Sequence, residues 1–197
     1  MSGVWGPERR GLTIGLVMTV TLIAFEGLAV ATIMPAVRSD LGGIRLYGWA
    51  FSAFFLASLV STVLAGRAAD RQGVGRPFTL GVGFFAAGLA VGALAPSMFV
   101  LVIGRTVQGL GAGAVSAAAV TTVARGYPPD LRPRMFALMS TAWVVPGLVG
   151  PALSAVIAET VGWRWVFAGL LPLLAVSGSI AVPRLRLLGP VTGDGPD

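Results

Sequence analysis

Between Leu12 and Val182 the sequence is a succession of six apolar runs, each close to 20 residues and each closed by a short polar turn. A bilayer core about 30 Å thick takes about 20 helical residues to cross. Hydrocarbon tolerates no unpaired backbone N–H or C=O, so runs of this kind cross as α-helices. They predict helices over about 12–36, 46–65, 78–95, 98–124, 135–157 and 165–182, with a short N-terminus at 1–10 and a flexible tail at 183–197. The expected fold is an all-α membrane protein: one bundle of six transmembrane helices over 11–182, with no soluble domain left over.

The first run has a rival reading. Arg9 and Arg10 before an apolar stretch, with Ala29-Val30-Ala31 after it, have the outline of a cleaved leader. The run is long enough to span, however, and it carries Glu26, an acid that a leader's apolar core lacks. It therefore reads as a retained first helix.

Composition removes whole classes of chemistry. The chain has no Cys and no His, so thiolate or imidazole metal sites, disulfides and His-activated nucleophiles are all excluded. No enzyme activity, metal or cofactor is expected. Lys is absent as well, so all 14 basic residues are Arg and no Walker A loop exists to drive transport with ATP. The net charge of +6 raises nucleic acid as a partner, but these arginines punctuate apolar runs instead of lining a soluble face. They follow the positive-inside rule instead. Arg9, Arg10, Arg67, Arg71, Arg76, Arg125, Arg132, Arg134, Arg184 and Arg186 fall on one side, and only Arg38, Arg45 and Arg164 on the other. That asymmetry predicts a multi-pass protein with both termini in the cytoplasm and a single topology, and the membrane expected is the plasma membrane.

The turn between the second and third runs, Gly66 to Pro77, is the most charged short segment. Gly66 and Gly73 are read as relaxing the backbone there, Pro77 as restarting a helix, and Asp70 with Arg67, Arg71 and Arg76 as a polar knot that clamps two helices at a fixed angle.

Two charges lie inside runs. Glu26 is in the middle of the first, where an acid costs about 2.5–3.5 kcal/mol on insertion scales and so must face a polar cavity or a partner. An intramembrane carboxyl in that position is a candidate proton carrier, with a structural ion pair as the plain alternative. Arg105 is in the fourth run, and Arg105, Gln108, Gly109 and Ala112 share one helical face by their spacing. Gly109 and Gly113 form a small-xxx-small pair that admits a neighbouring helix. Gly109-x-Gly111-x-x-Ala114 also fits a loose dinucleotide fingerprint, but no strand precedes it. In the fifth run Ala142, Pro146, Gly150 and Ser154 recur every fourth residue, and Pro146-Gly147 and Gly150-Pro151 are expected to interrupt the helix.

Taken together these stretches resemble the major facilitator superfamily. Gly66-x-Ala68-Ala69-Asp70-Arg71-x-Gly73 with Arg76-Pro77 is similar to its motif A, Arg105-x-x-Gln108-Gly109-x-Gly111-Ala112 to its motif B, and Gly147-x-x-Gly150-Pro151-x-x-Ser154 to its antiporter motif C. Glu26 falls where drug/proton antiporters of the family often place a helix-1 acid, and Tyr47-x-Trp49 leading the second helix also fits. Val74 and Gly75 stand where the family usually has basic residues, and Ser154 replaces a common Gly. The resemblance implies proton-coupled efflux of a small molecule by alternating access. It implies that Glu26 and Arg105 couple the proton, that Gln108, Ala112 and Trp143 line a substrate cavity, that Gly66, Asp70, Arg71, Gly73 and Arg76 form a gate, and that Gly147, Gly150, Pro151 and Ser154 mark an antiporter. Family members usually carry two six-helix bundles. The chain is therefore expected to work with a second bundle, whether a partner half, a second copy or the remainder of a longer protein. The rival expectation is a non-transporting half that associates with a full transporter.

Overall fold

The computed structural model describes residues 3–188. Among them the regular structure is helical: α1 (Arg10–Leu41), α2 (Trp49–Gln72), α3 (Gly75–Ala93), α4 (Met98–Gly126), α5 (Arg132–Thr160), α6 (Arg164–Ala168) and α7 (Leu170–Arg186). A single 3-10 turn at Ile44–Leu46 leads into α2. Five of these helices, together with α6 and α7 as one, make six helices long and apolar enough to cross a membrane. The expected six-span, all-α bundle is the observed one.

The helices outrun the apolar runs. Bilayer thickness limits the greasy part of a helix, and Arg and Ala are strong helix formers that carry it on into the polar zone. The largest correction falls on Gly66–Pro77. It is not a relaxed turn: Gly66, Arg67, Asp70 and Arg71 are the last turns of α2, and the link is Gly73-Val74. Only Gly73 needs its missing side chain for conformation, at φ 81°. The expected interruptions in the fifth helix are also absent, since α5 runs unbroken through Pro146 and Pro151. Each proline removes one backbone bond, and the turns on either side hold the helix together. The break lies instead at Gly169, between α6 and α7. Pro172, three residues on, has no N–H to offer the Ala168 carbonyl. The expected tail from 183 is helical as far as Arg186; the rest of it, from 189, lies outside the described residues.

Small residues decide which helices touch. α4 is the most enclosed span and packs on α2 and α3, while α1 packs on α5 and α7 and α3 closes against α7. A Cβ added at Gly109 would lie 2.2 Å from the Phe54 carbonyl oxygen, and one at Gly113 the same distance from that of Ser58. The small-xxx-small pair thus lets the α2 backbone come into direct contact with α4. Ser61 Oγ then donates to the Leu110 carbonyl at 2.5 Å. On the far side, Gly15 of α1 meets Ala181 of α7 at a separation that admits no Cβ. The four-residue stripe Ala142, Pro146, Gly150, Ser154 is the buried edge of α5. It leans on α1, with Phe25 3.5 Å from where a Gly150 side chain would begin.

Candidate functional site

The close approach of α2 to α4 builds the site. Because Gly109 and Gly113 draw in the backbone at Phe54 and Ser58, the next turn up α2 sets the Ala50 carbonyl and the Phe54 ring beside Arg105. Arg105 Nε donates to the Ala50 oxygen at 3.1 Å. Nη1 donates to Gln108 Oε1 at 2.9 Å and to Glu26 Oε1 of α1. The guanidinium carbon stands 4.2 Å from the centre of the Phe54 ring, within cation–π range. Arg105 is 2% exposed, and Glu26 and Gln108 are fully enclosed.

The sequence placed Arg105 and Gln108 on one face of α4, and they are hydrogen-bonded there. That Glu26 of α1 pairs with Arg105, 79 residues on, is a tertiary fact. The Ala50 carbonyl and Phe54 were missed for the same reason: a backbone carbonyl has no sequence signature, and a Phe in an apolar run looks like any other.

Hydrogen-bond accounting leaves the cluster incomplete. Glu26 Oε2 and Gln108 Nε2 are the two buried side-chain polar atoms without a partner among the described residues. One is an acceptor and the other a donor. Arg105 also lines a cavity of about 250 Å³, with Phe51, Phe54, Phe55 and Ser58 of α2, Ile23, Gly27 and Leu28 of α1, Ala112 and Ser116 of α4, and Trp143 of α5. Of the expected cavity residues, Ala112 and Trp143 are in the wall. Gln108 is not: it lies behind Arg105, packed where a Gly88 Cβ would come within 2.4 Å of its Cγ. The arrangement is an apolar, aromatic chamber with one guanidinium in its wall and a carboxylate behind it.

The charged helix ends make a second cluster. Asp70 Oδ1 accepts from Arg125 Nη2 at 2.7 Å, and Arg125 Nη1 reaches the Ala69 carbonyl at 3.1 Å. Arg125, the last basic residue of α4, was read as a loop charge, so Asp70 has a partner that the sequence did not reveal. Arg71 and Arg76 are exposed and take no part in this pair. Gly75 is enclosed for a plain reason: a Cβ there would lie 2.8 Å from the backbone of Arg186, at the end of α7. Nearby Tyr127, buried in the α4–α5 link, holds the start of α1. Thr13 donates to the Val4 carbonyl, so the Tyr127 hydroxyl is the donor of their 2.8 Å contact. Burial pushes its phenol above the ordinary value.

At the opposite end Arg164 ties three elements together. It pairs with Asp40 of α1 at 2.6 Å, donates to the Ala95 carbonyl of the α3–α4 hairpin at 3.1 Å, and stacks 4.3 Å from the Trp163 ring. Of the expected antiporter positions on α5, Gly150 and Ser154 are buried against α1, whereas Gly147 and Pro151 are exposed. Ser154 Oγ donates to the Pro151 carbonyl at 3.0 Å.

The family model described as Major Facilitator Superfamily matches residues 14–195. Multidrug resistance protein 3 of Bacillus subtilis (strain 168) is 30% identical over 166 residues, which are 84% of this chain and 32% of that protein. A probable multidrug-efflux transporter of Mycobacterium tuberculosis (strain ATCC 25618 / H37Rv) is 32% identical over 173 residues, 88% of this chain and 36% of the other. The chain thus spans about a third of the length of these relatives. Among solved structures, a proton:xylose symporter bound to 6-bromo-6-deoxy-D-glucose superposes with a TM-score of 0.74 at 16% identity, over 91% of this chain and 44% of that one. At that identity the likeness shows the fold.

Proposed function

The chain belongs to the major facilitator superfamily, and we propose that it acts as one six-helix bundle of a proton-coupled exporter of small apolar molecules. The observation that carries this reading is the Glu26–Arg105–Gln108 cluster sealed behind a 250 Å³ aromatic chamber. With Glu26 ionised, the pair is neutral and Arg105 is held against α1. A proton arriving on Glu26 discharges the carboxylate, leaves the guanidinium without its counter-ion, and frees α1 from α4. A site that holds either the proton or the tight pair, next to a chamber for the cargo, is the element that antiport requires. The names of the relatives, multidrug resistance and multidrug efflux, support a drug-like cargo, and the walls Phe51, Phe55 and Trp143 suit an apolar one.

The second bundle seats on α2 and α5. Their outward faces are apolar and largely uncovered, with Phe55, Leu59 and Val63 on one and Leu148 and Val149 on the other each at least half exposed. Asp70 with Arg125 is the gate at the arginine-rich end, which faces the cytoplasm of the plasma membrane together with both termini.

Proteoliposomes carrying the chain, loaded with an apolar fluorescent dye and given a proton gradient, test the reading. Gradient-driven dye flux is expected once a second bundle, either a second copy of the chain or an added partner half, completes the transporter, and Glu26→Gln is expected to uncouple it from the gradient. Flux that still follows the gradient in Glu26→Gln overturns the coupling role. Absence of flux in both arrangements favours a half that only associates with a transporter.

A further inference from the structure

We propose that the outward face of α3, at the arginine-rich end, is a binding site for one anionic phospholipid. Two cavities on that face share Leu80. The first, about 410 Å³, lies between α3 and α7 and is lined by Gln72, Arg76, Arg186 and Leu188 as well as Leu80. The second, about 320 Å³, continues past Leu80 to Phe84 and is bounded across the groove by Leu64 of α2. From Arg76 to Phe84 is eight helical residues, about 12 Å along the axis. A pocket bearing two guanidinium groups thus passes within about 12 Å into a strip of hydrocarbon.

The charges have no internal use. Arg76 and Arg186 form no ion pair among the described residues, where the three pairs present join Arg105, Arg125 and Arg164 to Glu26, Asp70 and Asp40. The first turn of α3 carries no acid either. Both cations line the same pocket because Gly75 packs directly on the backbone of Arg186. Their complement is an anion, and the groove below makes it an amphipathic one: a phosphate head between the arginines with an acyl chain along Leu80 and Phe84, which are 54% and 46% exposed. Charge at one end and grease at the other match a phospholipid better than a free anion, which has no use for the groove.

The test is a titration of the full chain in neutral detergent with phosphatidylglycerol or phosphatidylcholine of the same acyl chains, followed by native mass spectrometry and the melting midpoint. Phosphatidylglycerol is expected to be retained and to raise the midpoint, with phosphatidylcholine and inorganic phosphate having little effect. Each arginine at an anionic headgroup contributes a factor of about five in affinity, so Arg76→Gln with Arg186→Gln should weaken retention about 30-fold. Lys at both positions should restore most of it, and Leu80→Asn should weaken the lipid without the arginines being touched. Arg67→Gln with Arg134→Gln removes the same charge from the same end and should change retention less than twofold. Equal retention of phosphatidylcholine, saturation by inorganic phosphate, or equal loss in the Arg67 and Arg134 control would each overturn the proposal.

Discussion

A double-mutant cycle on Glu26 and Arg105 distinguishes a buried charge pair from an ordinary hydrogen bond, and the structure sets the expected size. Arg105→Met removes the donors to Glu26, Gln108 and the Ala50 carbonyl together and strands a carboxylate that is fully enclosed. Breaking one side of a buried ion pair costs about 3–5 kcal/mol, chiefly because the surviving charge is left without compensation. Glu26→Leu strands the guanidinium, though the Phe54 face and the Ala50 carbonyl still stabilise it, so its cost should fall toward the low end of that range. The pair Glu26→Leu with Arg105→Met leaves no buried charge among the described residues, and such replacements are often close to neutral. The coupling energy should therefore exceed about 3 kcal/mol. Neutral interhelical hydrogen bonds in membranes couple by only about 0.6 kcal/mol on average. SDS-driven unfolding in mixed micelles, followed by far-UV circular dichroism, measures all four corners. Additive single effects, or a coupling below about 1 kcal/mol, would refute the argument that the two charges hold α1 to α4.

Five further outcomes follow from the surroundings of particular residues. Gly113→Leu should abolish the native fold, because its first side-chain carbon would lie 2.2 Å from the Ser58 carbonyl oxygen; Gly83→Ala, with nothing within 4 Å, should raise stability by about 0.5–1 kcal/mol, both read by thermal melting. Gly75→Arg, which places a basic side chain where the family usually has one, should be destabilising here, with protease cleavage near Arg186 reporting release of the α7 end. Asp70→Asn should cost less than about 1 kcal/mol, since this pair is largely solvated, yet reduce dye flux in proteoliposomes if the gate assignment holds. Arg164→Gln should shift the emission of Trp163 to longer wavelength, as the indole loses both its stacked cation and the Arg164-braced Asp40 acceptor.

Of the candidate site, the sequence showed the parts and withheld the joins. Arg105 and Gln108 were legible as neighbours because a helix fixes which residues share a face. The stripe of Ala142, Pro146, Gly150 and Ser154 was legible for the same reason. The family resemblance put Gln108 in the cavity wall, but it lies enclosed behind Arg105, and only the arginine reaches the chamber. Asp70 was grouped with its sequence neighbours Arg67, Arg71 and Arg76, because its actual partner, Arg125, sits 55 residues away at the end of a helix that only packing brings alongside. The charged segment after the second apolar run looked like a turn because charge ends an apolar run; charge does not end a helix, and α2 continues to Gln72.

Apolar run lengths alone determined the six spans, because hydrocarbon leaves a backbone of that length no other way to satisfy its hydrogen bonds. The same sequence, with no His, Cys or Lys, offers no imidazole, no thiolate and no Walker A lysine of its own. Tertiary structure decided everything that depends on distance between helices. Glycine spacing shows that a helix can be approached closely, but only the packed bundle selects which backbone does so, and that choice set Ala50 and Phe54 against Arg105, Glu26 behind it, and Arg186 beside Arg76. Local periodicity is written in neighbouring residues, whereas an ion pair across 79 positions is fixed by the packing of all the helices between them.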